Sequence, residues 1–502
     1  MNQLPNKKVY KIGTRGSLLA VTQCTLIAQE MTKRTGAQFE LVKIVTQGDT
    51  QTDKPLWQLD GKDFFTKELD QALLNNEVDL VVHSYKDLGS DRPEGIELAS
   101  ITERKYANDI LLIRKATIPT INTKSIFNVG TSSPRRIVNT ESSLKEFLPG
   151  AGERLEVKCS MLRGNVNTRI QKLQDGNYDA IILALAGLER LANKEDSKKE
   201  LIKLLEGLTF MVMPQKDFPS SASQGALAIE YNGIRADKEL LKILQSVHCK
   251  KTQNEVKNER ALFQTYGGGC HLAVGINTHA HKEFLIDIEK GVYNETPIQK
   301  IKLHGVDYKE ITNIKTLLPI GDKDTVVLKD LIPVKLIDNH SYFVTSSYCL
   351  HALEGLEDSF LFASGSRTMK KIVKLSKWVN ASADSLGHEE IAKILDSRAV
   401  QIMLKSKEIT VLSHDQAHSP IGEVVPCYTR KISSATPDLK EADAIYWSSF
   451  YQYKAYLEKD SSVKNKVFLC GLGKTYDQFK ENGIKVTPFA SMKHLKDICN
   501  II

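Results

Sequence analysis

A thiol, a carboxylate and a set of guanidinium groups mark where chemistry is concentrated in this chain. Cys270 closes the run Tyr266-Gly267-Gly268-Gly269-Cys270, and three consecutive glycines accept backbone angles closed to other residues. The thiol therefore hangs on a flexible arm between a helix and a strand. A buried cysteine at a helix-to-strand turn would have the same local sequence, because free cysteines commonly pack as small apolar residues. Asp87 ends His83-Ser84-Tyr85-Lys86-Asp87. It reads as a helix cap, as the ion-pair partner of Lys86, or as a carboxylate facing a cavity. In the last case one charge about 4 Å from a developing cation contributes roughly 4 kcal/mol at an effective dielectric of about 20. Arg15, Arg135, Arg136, Arg163 and Arg169 fall at or near strand-to-helix junctions, where free backbone N–H groups also favour anions. The guanidinium fork donates two parallel hydrogen bonds to a carboxylate. Any one of these arginines alone is a solvated surface charge; their similar placement points to a shared polyanion site.

The elements that must position these groups alternate. Lys8 to Ile12 reads as a strand; Thr14-Arg15-Gly16-Ser17 opens a helix with Ala20, Cys24, Ile27 and Met31 at helical spacing, and Gly36 ends it. Phe39 to Thr46 is a second strand, Phe64 to Leu74 a helix, and Val78 to Val82 an apolar strand running into Lys86 and Asp87. Strand-helix alternation predicts a parallel, doubly wound sheet with ligands at the carboxyl ends of its strands. The pattern repeats after Arg114: a strand at Phe127 to Gly130, then Ser132-Ser133-Pro134-Arg135-Arg136 with Ser133 as cap and Pro134 at the first helical position. Leu162-Arg163-Gly164-Asn165 leads a helix to Leu173, and Tyr178 to Leu185 is a buried strand. The small-residue loop around Gln224 precedes a strand at Leu227 to Tyr231, taken as a return to the first unit. Glu255 to Tyr266 is helical, and strands follow to about His304. Asp307 to Ile332 is weakly patterned and reads as a linker. Beyond it Phe343 to Thr368 and Ile445 to Thr475 repeat a strand, helix, strand, Gly turn, helix pattern, predicting two similar α/β lobes.

At 502 residues several domains are expected, and 41% apolar with 26% charged residues are ordinary for a soluble globular chain. Met1 to Gly13 lacks the apolar run of a signal peptide and the longest apolar stretch, Ala180 to Leu188, is far too short to span a bilayer, so a cytoplasmic location and no membrane partner are expected. Eight cysteines without a C-x-x-C pair argue against zinc and against a disulfide framework; no metal is expected. A net charge of +7, with 68 basic residues nearly matched by 61 acidic ones, does not imply nucleic acid. Gly471-Leu472-Gly473-Lys474-Thr475 is not a phosphate-binding loop, since Phe468 stands where the first glycine belongs.

Together, Thr14-Arg15-Gly16-Ser17, Gly61-Lys62 through Lys67-Glu68-Leu69, His83 to Asp87, Ser132 to Arg136, Leu162 to Arg169, and Gly268-Gly269-Cys270 resemble the porphobilinogen deaminase (hydroxymethylbilane synthase) family in order over about residues 8 to 305. The resemblance implies two domains like periplasmic binding proteins, at 1–102 with 205–232 and at 103–204, and a small α+β domain at 233–306. It implies that Cys270 carries a dipyrromethane cofactor through a thioether, that porphobilinogen is the small-molecule substrate, and that the product is a linear tetrapyrrole. Asp87 would contact pyrrole N–H groups and stabilise the cation left by loss of ammonia, with Lys86 beside it. Arg15, Lys62, Lys86, Arg135, Arg136, Arg163 and Arg169 would bind acetate and propionate groups, supported by Ser17, Ser132, Ser133 and Gln224. Departures are Gly89, Pro134 and Asp63, where the family usually has proline, leucine and glycine, and Gln58, where some members have lysine.

After a linker at 307–332, residues 333–502 resemble the uroporphyrinogen-III synthase family through the two-lobed repeat, Ala383-Asp384-Ser385 and Pro426-Cys427-Tyr428. That likeness implies ring closure without a cofactor, with Tyr428 assisting loss of the hydroxyl and Thr345, Ser346, Thr368, Ser448 and Thr475 donating to carboxylates; packing is the other reading of Tyr428. The expectation is a monomeric bifunctional enzyme that polymerises and then cyclises. The alternatives are a deaminase with a non-catalytic C-terminal interaction module, and a small-anion receptor of binding-protein architecture, against which the glycine-borne thiol counts.

Overall fold

Ser17 and Gly36 bracket the first helix: the Ser17 hydroxyl accepts the Ala20 N–H at 3.3 Å, and Gly36 ends it in the left-handed conformation at φ 75°. Between them Cys24, Ile27 and Met31 are buried against the sheet, as their spacing predicts. The computed structural model describes residues 8–46, 66–89, 91–269, 271–312, 314–319, 324–404 and 406–499.

The first unit runs β1 (Val9–Thr14), α1 (Leu18–Thr35), β2 (Gln38–Lys43), α2 (Lys67–Leu74), β3 (Leu80–Ser84) and β4 (Ile96–Ile101). The second runs β5 (Asp109–Arg114), β6 (Ile126–Gly130), α3 (Pro134–Ser143), β7 (Glu156–Ser160), α4 (Val166–Gln174), β8 (Ala180–Ala184), α5 (Leu185–Ala192), α6 (Glu195–Leu205) and β9 (Leu208–Val212). β10 (Leu227–Asn232) then returns to the first sheet, giving the orders β2-β1-β3-β10-β4 and β7-β6-β8-β5-β9. Neither sheet is wholly parallel as expected: β10 runs antiparallel to β3 and β4, and β5 antiparallel to β8 and β9, because these strands carry the crossings between the two units.

Two boundaries move. The expected first unit, with its second segment at 205–232, includes Leu208–Val212, but this strand pairs with β5 in the second sheet. A run buried on both faces carries no mark of which sheet it joins. The expected third unit at 233–306 includes α7 (Lys238–Gln245), yet Leu240, Ile243 and Leu244 pack in the core of the first sheet. α8 (Lys250–Thr265) then leads to the antiparallel sheet of β11 (Ala273–His281), β12 (Phe284–Tyr293) and β13 (Thr296–His304). Arg104, just beyond β4, ties these pieces with buried bonds to Glu255 and Glu259 of α8 and to the Thr278 carbonyl of β11.

The stretch read as a linker contributes two edge strands: β14 (Leu317–Pro319) and β15 (Val327–Leu331) join different sheets. They are too short to show a period, which is why they were missed. The remaining elements are β16 (Ser341–Val344), β17 (Phe360–Ala363), α9 (Ser366–Val373), β18 (Ala381–Ser382), α10 (His388–Leu395), α11 (Arg398–Leu404), β19 (Ile409–His414), β20 (Val424–Ile432), β21 (Ala444–Trp447), α12 (Phe450–Lys459), β22 (Val467–Gly471), α13 (Lys474–Glu481), β23 (Thr487–Phe489) and α14 (Met492–Cys499). They form the sheets β15-β20-β19-β16-β17-β18 and β14-β21-β22-β23, one for each half of the repeat. In the first half a 3₁₀ turn at Ser347–Leu353, started by the Ser346 hydroxyl, takes the place of the expected helix. The first of these sheets packs on the edge of the second unit: the Val212 N–H donates to Asn380 at 2.7 Å, and Trp378 and Asn380 donate to the Phe210 carbonyl at 2.8 and 2.9 Å. Phe210 and Phe360 stack across the seam at 6.4 Å. Among the described residues no helix is long and apolar enough to cross a membrane.

Candidate functional site

β3 delivers its last residues to the edge of the first sheet and then breaks into a single 3₁₀ turn, Tyr85–Asp87. Tyr85 turns inward and is buried, which leaves Lys86 and Asp87 exposed on the outer side of the turn. Arg260 of α8 holds this turn from below. Its guanidinium lies 4.6 Å from the Tyr85 ring centre and donates to the Leu88 and Gly89 carbonyls at 3.1 Å each. α8 continues into Gly267, Gly268 and Gly269, with φ of 84°, 63° and 96°. A side chain at any of the three would be strained, so the run of glycines is required by the path of the arm. Cys270 itself, like Lys62, lies outside the described residues.

Across from this turn stands a buried ion cluster that sequence reasoning missed. Asp109 opens β5 and is 1% exposed; it accepts from Arg135 Nη1 at 2.7 Å and from Arg136 Nε and Nη2 at 3.1 and 2.7 Å. Burial alone would raise its carboxyl pKa, but the two guanidiniums more than offset this and hold it below the usual carboxylate range. Gln224, fully buried, donates to Asp109 at 2.9 Å and accepts from Lys86 Nζ at 3.4 Å. A relay Lys86-Gln224-Asp109-Arg135/Arg136 thus links the first unit to the second. The only mark of Asp109 in the sequence is an acid placed directly before the apolar run Ile110-Leu111-Leu112-Ile113.

The field around Asp87 is strongly cationic. Water reaches Lys86, yet protein surrounds it at the longer range over which an ammonium is hydrated; this desolvation, opposed by Asp87 and aided by Arg136, lowers it to about 8. Arg169 is brought down to about 10 by desolvation and by Arg136 and Arg163, with Asp87 opposing. Arg190 of α5, which the sequence reading passed over, is lowered to about 10 by desolvation, again with Asp87 opposing. It sits in the last turn of α5, donating to the Gly225 carbonyl at 2.6 Å, and so carries none of the strand-to-helix signal that marked the other arginines. Arg169 Nε donates to the Gly164 carbonyl at 2.7 Å, curling the Arg163-Gly164 loop over the start of α4.

Two of the expected supporting hydroxyls make bonds within the protein. Ser17 caps α1; Ser132 clamps Leu162, donating to its carbonyl at 2.8 Å and accepting its N–H at 3.0 Å. Ser133 stands at the N-cap of α3 without the side-chain bond expected of it. Arg15 follows β1 directly, beside the cap of α1. In the C-terminal sheets Tyr428 is 6% exposed, packed against Tyr348 and His414 at ring distances of 5.4 and 6.0 Å. Burial and the neighbouring Cys349 thiol push its hydroxyl up to about 12 against a hydrogen bond with Ser346. Thr345 donates to Leu412, Thr475 to Ser448, Ser448 to Gln452, and Thr368 shares a bond with Ser364.

A small molecule carrying several carboxylates fits this donor set. Lys86, Arg136, Arg163, Arg169 and Arg190 share one field in which Asp109 is already claimed, and Arg135 Nε is buried without a hydrogen-bond partner among the described residues.

Residues 10–242 match the family model described as porphobilinogen deaminase, dipyromethane cofactor binding domain. The porphobilinogen deaminase of Bacillus subtilis (strain 168) is 37% identical over 268 residues, covering 53% of this chain and 78% of that protein. That of Oceanobacillus iheyensis is 36% identical over 320 residues, covering 63% and 96%. Among solved structures, a substrate-binding domain of an amino acid ABC transporter from Streptococcus pneumoniae covers 51% of this chain and 94% of its own at 13% identity and a TM-score of 0.28. PhnD1 from Prochlorococcus marinus with methylphosphonate covers 52% and 91% at 12% identity and the same score. With relatives above 30% identity matched over more than three quarters of their length, and with a domain that binds dipyrromethane, this chain belongs to the porphobilinogen deaminase family.

Proposed function

We propose that the chain condenses porphobilinogen units stepwise on a dipyrromethane primer joined to Cys270, and that water then cleaves the C–C bond between the new chain and the primer, its hydroxyl leaving on hydroxymethylbilane and its proton staying on the freed primer carbon. The observation that carries this reading is the exposed carboxylate of Asp87 set in a field of guanidiniums, on a turn that Arg260 fastens to the helix leading into the glycine arm. When bound, the dipyrromethane supplies a pyrrole with a free α-carbon as acceptor. Each addition breaks the C–N bond of the aminomethyl arm, releases ammonia, forms one C–C bond and frees the proton of the acceptor carbon. Asp87 accepts from pyrrole N–H and balances the positive charge present between loss of ammonia and bond formation. Lys86, Arg163, Arg169 and Arg190 hold the acidic side chains, with Arg15 and Lys62 as further binders. Arg135 and Arg136, braced by Asp109, form the fixed positive floor.

The C-terminal sheets support a second step, closure of the linear product to uroporphyrinogen III, through their two-lobed repeat. The burial of Tyr428 favours packing for that ring, and the broad seam along β9 suits the alternative of an interaction module. Supplying the purified chain with porphobilinogen and separating the products tests both readings. Intact mass should show the chain heavier by a dipyrromethane, and turnover should release hydroxymethylbilane. An unmodified Cys270 in a folded, inactive preparation refutes the condensation reading; exclusive formation of the type I isomer refutes the cyclase.

A further inference from the structure

We propose that His279, His281 and Glu390 bind one divalent transition-metal ion of zinc-like chemistry, joining the third deaminase sheet to the C-terminal region. His279 and His281 are two residues apart on β11 and so share a face of the strand. Glu390 comes from the first turn of α10, more than a hundred residues later. One donor atom from each lies within 4.8 Å of the others, and His279 Nε2 is 3.5 Å from Glu390 Oε1. Ligands on a tetrahedral ion at about 2.05 Å stand about 3.3 Å apart, so small side-chain rotations complete the set.

Two further observations point to a ligand. The Nε2 atoms of both imidazoles are buried without a well-formed hydrogen bond among the described residues: His279 Nε2 has only the long 3.5 Å approach to Glu390, and His281, although it interacts with the Leu472 backbone, leaves its Nε2 unsatisfied, whereas buried polar atoms are nearly always paired. And His279 and Glu390 border a cavity of about 340 Å³, which leaves room for water in a fourth coordination position. Two neutral imidazoles and a carboxylate suit zinc, whereas calcium and magnesium prefer all-oxygen sites. The groups that compete are Lys393, 2.5 Å from Glu390 Oε1, and Lys282, which binds Asp477. The Lys393 side chain is half exposed and can swing into water when a metal takes the carboxylate. The other cluster of similar type, Asp70, His83 and Glu230, differs in this respect: Arg92 already supplies its cation at 2.5 and 2.7 Å.

The test uses the full-length chain carrying its primer, stripped with chelator and titrated with Zn²⁺ alone by calorimetry and metal analysis, then with Co²⁺ by absorption. Expected are one Zn²⁺ per chain, a Co²⁺ spectrum without thiolate charge transfer, and affinity lowered more than about tenfold in Glu390→Gln and in His279→Ala. Glu390→Gln keeps shape, and circular dichroism of both variants separates lost binding from lost folding. No retained zinc in the folded wild type, unchanged affinity in Glu390→Gln, or a thiolate band from the cysteines overturns the proposal.

Discussion

Replacing Asp109 by asparagine tests whether the buried ion cluster is the brace on which the anion site stands. The substitution keeps shape but removes the single negative charge shared by Arg135 and Arg136, both nearly sealed from water. At charge separations of about 4 Å and an effective dielectric of about 20, each attraction amounts to roughly 4 kcal/mol. Relief from burying the carboxylate offsets part of the pair, and the expected net cost is about 3–5 kcal/mol, as for other buried ion pairs that lose one partner. A chain of several domains does not unfold in one step, so the quantity to measure is amide hydrogen exchange in β5, β6 and α3. Exchange there should accelerate by roughly two to four orders of magnitude, at about 1.4 kcal/mol per decade. The acceleration should be smaller in protein carrying its primer, whose carboxylates can partner the released guanidiniums. The sign with pH follows from the depressed carboxyl: its stabilisation is fully present above the unfolded value of about 4 and is lost as pH falls through the lower folded value. The Asp109→Asn chain would lack that acid-dependent loss. Exchange in β5 and α3 within about threefold of wild type, less than about 1 kcal/mol, would refute the reasoning.

Asp87→Asn should retain a chain of primer-loaded mass while turnover falls roughly a thousandfold, the equivalent of losing about 4 kcal/mol of cation stabilisation; near-normal turnover removes Asp87 from the mechanism. Lys86, lowered to about 8, should lose its charge as pH rises through that value, so KM for porphobilinogen should climb above pH 8 in the wild type and stay flat in Lys86→Arg, whose charge does not titrate; the same alkaline rise in both would show that another group is responsible. Arg260→Gln releases the Tyr85–Asp87 turn from α8 and should lower kcat about tenfold or more with little change in primer content, since it acts by positioning Asp87; equal kcat would show that the turn holds itself.

Much of the first 305 residues was legible because the signals are local. The helix opening at Thr14 to Ser17, the stop at Gly36, the proline opening α3 and the period of Cys24, Ile27 and Met31 each depend on neighbours a turn away. The three glycines before Cys270 are likewise visible at sight, and their positive φ values supply the reason. Strand ownership was less legible. Leu208–Val212 and the short β14 and β15 were misplaced because a buried pentapeptide or a tripeptide carries no record of its partner.

The amino-acid order by itself determined the inventory: an acid after β3, arginines at helix starts, a glycine-borne thiol and a doubled C-terminal pattern. Which of these charges are spent on one another was decided only by the tertiary structure. Asp109 and Arg135 lie 26 residues apart, Gln224 and Lys86 lie 138 apart, and His279 and Glu390 are separated by most of a domain. Such pairings follow from chain crossings and from the need of buried charges for a counter-charge, a global condition that no window of sequence contains.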